Sequence, residues 1–73
     1  MTHKDIAWAI ANAYNPPRCS NPNAPLVRYY RADGTTTMKE GEAQYMSRYN
    51  PLTKRIRVML YSHHETIGLF YLG

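Results

Sequence analysis

Apolar and polar residues alternate along this chain with two different periods, and the change of period divides it. Near the start, Ile6, Ile10, Ala13 and Tyr14 recur at helical spacing and form one stripe, with Trp8 at its flank. Thr2 and Asp5 are spaced as a capping box, with Asp in place of the usual Glu or Gln. Four alanines favour the helix by propensity. Pro16 and Pro17 end it, because the residue before a proline disfavours the α region. The pattern predicts a helix over residues 1–15. A Pro/Asn-rich loop follows over 16–25, either a stiffened connector or a binding element.

From residue 26 onward the period is two. Leu26 to Arg31 begins a β region, and Asp33-Gly34 supplies a tight hairpin turn into Thr35, Thr36 and Thr37. Glu40-Gly41-Glu42 breaks that strand. Residues 43–49 read as helix or strand, and the strand is preferred because Asn50-Pro51 makes a short turn suited to antiparallel partners. Lys54 to Ser62 is the clearest strand. Ile56, Val58 and Leu60 alternate with Arg55, Arg57, Met59 and Tyr61, so one face is apolar and the other basic and aromatic. Thr66 to Leu72 is apolar on both faces, as expected of a central strand or of one that offers a face to a partner. The fold class that follows is α+β in one domain over 1–73. One N-terminal helix packs on a small, mostly antiparallel sheet of three to five strands over 26–73. The expected core is Ile6, Ile10 and Tyr14 from the helix and Val27, Tyr29, Ile56, Val58, Leu60, Ile67 and Leu69 from the sheet. Trp8 is expected to anchor the packing between them.

Composition narrows the function. So short a chain buries only roughly 60% of its unfolded surface, which leaves little material for a deep, dry pocket. No stretch approaches the roughly 20 apolar residues of a membrane span, and no leader pattern is visible. Cys19 is the only cysteine, which removes an intramolecular disulfide and a cysteine zinc site. A soluble, cytoplasmic protein that is monomeric when free is expected, with no cofactor and no membrane partner.

Catalytic signals are sparse. There is no nucleophile elbow, phosphate loop or dinucleotide fingerprint. His63 and His64 are adjacent, so an extended chain would send them to opposite sides. They read as turn residues, with no metal site. The chain is therefore expected not to be an enzyme. A ribonuclease-like toxin built on Arg55, Arg57, Tyr61 and His63 is the remaining catalytic reading.

Charge and rings carry the positive signal. Nine Lys/Arg against five Asp/Glu give a net charge of +4, and seven tyrosines are interleaved with the cations. Arg28, Tyr30, Arg48, Arg55, Arg57 and Tyr61 are the expected partner-binding set, on the outward faces of neighbouring strands. Arg and Tyr lead the residue types of protein hot spots. The same pair could hold phosphates and stack on exposed bases, which makes a nucleic-acid-binding domain the alternative.

The segments THKDIAWAIANAY, RYYRADGTT and KRIRVMLYS, with the proline loop between the first two, give the whole chain its character. In that character it resembles the very small bacteriophage-encoded regulators that bind host bacterial RNA polymerase. The resemblance rests on no shared motif, so it carries over no residue roles. It implies a stoichiometric inhibitor that occludes a polymerase or sigma-factor surface and blocks initiation.

Overall fold

The computed structural model describes residues 2–17 and 25–73. Helix α1 (His3–Ala13) is followed by β1 (Val27–Tyr30), β2 (Thr36–Thr37), a 3-10 turn (Glu40–Glu42), β3 (Tyr45–Asn50), β4 (Arg55–Leu60) and β5 (Thr66–Tyr71). The strands form one antiparallel sheet in the order β2-β1-β3-β4-β5. The α+β expectation holds at its upper strand count. Cys19 and most of the proline loop lie outside the described residues.

The capping box forms as spaced. Thr2 Oγ1 accepts from the Asp5 amide at 3.2 Å, and Asp5 Oδ2 accepts from the Thr2 amide at 3.0 Å. The helix is shorter than residues 1–15 because Thr2 and Tyr14 are extended caps on either side of it. Its buried stripe is Ile6, Ala7, Ile10 and Ala11, while Ala13 is exposed. Trp8 is 59% exposed, with its ring 5.6 Å from that of Phe70 between centroids, so it is not a core anchor.

The helix covers one face of the sheet. Ile56 and Val58 of β4 lie under it, fully buried, with Tyr45 and Tyr49 of β3 and Tyr30 of β1. Gly68 of β5 is needed here for close approach: a Cβ would sit 2.5 Å from the Phe70 ring and 3.2 Å from Ala7. The Tyr30 hydroxyl meets Ser47 Oγ at 2.9 Å, so the two polar groups buried on this face satisfy each other. Burial pushes the Tyr30 phenol up, which keeps it protonated for that bond.

Val27 and Tyr29 are expected in the core, and the structure has the opposite parity. Arg28 pairs with Ser47 and Tyr30 with Tyr45, so Arg28 and Tyr30 share the helix side, whereas Val27 and Tyr29 face away. Leu69 also faces away, opposite Arg57. β5 is not central: it is an edge strand.

Turns follow their local chemistry. Arg31 to Thr35 forms the hairpin loop, where the Gly34 amide donates to the Arg31 carbonyl at 2.9 Å and Gly34 takes φ 89°. Asp33 does not share that positive φ. It acts as an acceptor instead, from the Thr35 amide at 3.0 Å and hydroxyl at 2.6 Å. The β3–β4 turn closes with Asn50 Oδ1 accepting from Leu52, and Lys54 takes φ 58°. The β4–β5 turn has no glycine, and His64 takes the left-handed position at φ 52°.

Candidate partner-binding face

A single helix can cover only one side of a five-stranded sheet, and among the described residues no element covers the other side. Strand parity decides what stands there. Met59, Arg57 and Arg55 come from β4. Met46, Arg48 and Asn50 come from β3, and Tyr29 and Val27 from β1. β5 adds Leu69 and Tyr71.

This face has two ends of different chemistry. At the end near the β4–β5 turn, Tyr29 and Tyr61 meet edge to face at 5.6 Å and 80°. Tyr29 pairs with Met46, and Met46 with Met59, so the two rings meet across β3 above the methionines. Met46 and Met59 are accordingly 5% and 7% exposed although no helix covers them. A carboxylate beside Tyr29, that of Glu40, raises its phenol pKa by hydrogen bonding.

At the other end, near the β3–β4 turn, Arg48, Arg55 and Arg57 line an open cleft of about 300 Å³ with Asn50, Thr53 and Leu69. Arg48 stands directly opposite Arg57 in the ladder. Like charges in that position repel. Among the described residues no carboxylate lies within ion-pair distance of them; the ion pairs are Arg31 with Glu42 at 3.1 Å and Lys39 with Glu42 at 3.9 Å. All five carboxylates of the sequence belong to the described residues and are placed elsewhere. Asp5 caps the helix, Asp33 holds its turn, Glu42 serves Arg31, Glu40 lies by Tyr29 and Glu65 is in the β4–β5 turn.

The expected binding set therefore divides. Arg48, Arg55 and Arg57 come together on the open face, with Tyr61 at its other end. Arg28 and Tyr30 do not join them. Tyr30 is buried at 3% exposure, and the Arg28 guanidinium lies 5.5 Å from the centre of the Tyr14 ring on the helix side. Tyr29 takes the place expected of Tyr30. The Tyr29-Tyr30 pair carried the signal that one ring must face outward, but not which one.

Histidines are dispersed. His3 Nδ1 lies 2.9 Å from the Tyr45 hydroxyl, across the sheet from the arginines. His63 is exposed in the turn beyond the far end of β4 from Arg55, roughly 16 Å of strand away. Among the described residues no three His, Cys, Asp or Glu side chains converge on a point where a metal could sit, and no helix is long and apolar enough to cross a membrane. No known family model matches the chain, and no characterised protein or solved structure is significantly similar to it.

Proposed function

We propose that this chain is a non-enzymatic binding protein that occupies an acidic surface of a larger protein machine with the open face of its sheet. The observation that carries the reading is the Arg48, Arg55, Arg57 cluster, which has no carboxylate partner and includes two arginines directly opposed in the ladder. A repulsive arrangement of this kind lowers the stability of the free protein and is relieved by an anionic partner.

The neighbours of the cluster favour a protein over a nucleic acid. Leu69 and Tyr71 are 51% and 66% exposed beside it, giving the mixture of apolar and Arg/Tyr contacts typical of protein hot spots. A single-stranded nucleic acid is held by rings whose flat faces are free for bases. Tyr29 and Tyr61 are packed against each other instead. The resemblance to small phage regulators makes bacterial RNA polymerase, or its sigma factor, the partner to test first. Inhibition would follow from occlusion of the surface needed for initiation.

The test titrates the tagged chain against purified bacterial RNA polymerase free of nucleic acid, beside a single-stranded oligonucleotide. Saturable binding to polymerase that weakens in Arg48→Gln/Arg57→Gln supports the reading. Binding to the oligonucleotide alone, with log affinity falling linearly in log salt, replaces it with the nucleic-acid reading.

A further inference from the structure

The two edges of the sheet are not equivalent. β2 has two residues, both threonine, and is too short to template another strand. β5 has six residues, Thr66–Tyr71, without a charge or a proline; its pairing is irregular at Ile67, which leaves Gly68–Tyr71 as the regular stretch of the edge. Among the described residues no strand pairs with its outer side.

Which backbone groups are free follows from the ladder. The Leu72 amide donates to the Lys54 carbonyl at 2.7 Å. Antiparallel pairs alternate between bonded and non-bonded, so Ile56 with Phe70 is a bonded pair and Arg57 with Leu69 and Arg55 with Tyr71 are not. The N–H and C=O groups of Leu69 and Tyr71 therefore point outward from the edge. Their side chains lie on the open face, beside the unpaired arginines. Between them, Phe70 points to the helix side, where Trp8 stands exposed against it.

A strand added to this edge would have every second side chain on the arginine side. The alternate side chains would lie beside Phe70 and Trp8. We propose that β5 takes up an extended partner segment in which acidic and apolar residues alternate, by strand addition. Its carboxylates meet Arg55 and Arg57, whose long stems reach across Leu69 and Tyr71. Its apolar side chains cover Trp8 and Phe70. Its backbone pairs with Leu69 and Tyr71, as in peptide recognition by sheet augmentation. Charge complementarity selects this occupant over a second copy, which would bring another arginine cluster instead of carboxylates. The inference rests on the acidic-partner reading and adds how the partner is held.

The experiment uses the intact chain and an eight-residue peptide alternating Glu with Val. A shuffled peptide of the same composition and an N-methylated version, blocked on its pairing edge, serve as comparisons. Binding and backbone amide exchange are followed by NMR. The expected result is slowed exchange at the Leu69 and Tyr71 amides with the alternating peptide only, and affinity roughly tenfold lower in Arg55→Gln/Arg57→Gln. Equal binding of the N-methylated or shuffled peptide, without slowed exchange at those amides, overturns strand addition and leaves the acidic-partner reading standing. Absence of binding by the alternating peptide at millimolar concentration also overturns it, whatever the outcome with polymerase. A second copy pairing at β5 would slow the same amides without peptide, in step with protein concentration, and would overturn the choice of occupant.

Discussion

Arg57→Gln should make the free protein more stable while weakening its binding. Arg57 and Arg48 are directly opposed in the β3–β4 ladder, and Arg55 lies on the same face two residues away. The Tyr61 amide donates to the Gln44 carbonyl at 3.0 Å, which fixes the alternation and makes Arg48 with Arg57 a bonded pair. Their Cα atoms are then about 5.5 Å apart. Guanidinium groups about 7 Å apart repel by about 0.6 kcal/mol in bulk water and about twice that at an effective dielectric constant of ~40. Arg55 adds a similar term, and because all three side chains are exposed and mobile the sum is discounted by about half, so neutralising Arg57 should stabilise the domain by about 0.5–1.5 kcal/mol at low salt. For a domain of this size that is a rise of about 2–12 °C in melting temperature. Thermal and urea unfolding at low ionic strength would read it. At 1 M salt the screening length falls to about 3 Å and the gain should vanish. Arg57→Lys keeps the charge and should show no gain. A variant less stable than the parent at low salt, or a gain of the same size at 1 M salt, would refute the claim that these arginines are held in repulsion.

Two further outcomes are expected. Tyr30→Phe and Ser47→Ala should each cost about 1–3 kcal/mol, because each leaves the other hydroxyl buried and unsatisfied, whereas the double variant should cost less than the sum of the two; additive losses in urea unfolding would show that the bond contributes nothing. Asp5 and Asp33 are held below the ordinary carboxylate range, Asp5 by the backbone and side chain of Thr2 and Asp33 by the side chain and backbone of Thr35. Folded values below the unfolded one mean that their contribution is present above pH about 3.8 and is lost as pH falls through the lower folded values; acid unfolding curves should flatten in Asp33→Asn, and an unchanged curve would remove Asp33 from the account.

Much of the fold was legible because its signals are local. The Thr2–Asp5 box, the Asn15-Pro16 stop, the Asp33-Gly34 loop and the alternation of Ile56, Val58 and Leu60 each specify their element within a few residues. The preference for a strand at 43–49 also held, since the Asn50-Pro51 turn favours β pairing. The face of β1 was not legible. In Val27-Arg28-Tyr29-Tyr30 each parity offers one tyrosine, and only the long-range register with Tyr45 and Ser47 decides that Tyr30 goes inward. The candidate site inherits that ambiguity: Arg55 and Arg57 follow from alternation in β4 and Arg48 from the tyrosines interleaved around it, while Tyr29 stands where Tyr30 is expected. The edge position of β5 was hidden for a related reason. Its apolar character on both faces suits a central strand equally well, and strand order is a property of pairing, not of composition.

The inequality of the two edges also limits how far this molecule can associate. Growth of a sheet by repeated addition needs an acceptor edge at each end of every unit, so that each arrival presents a new template. Among the described residues the side bounded by Thr36 and Thr37 offers only two residues, and β5 alone is long enough to template a strand. One addition at β5 uses that template and creates no second one on the same molecule. The described sheet is in that sense a terminator: its edges suit a one-to-one complex, or at most a symmetric pair, and not a repeating fibre.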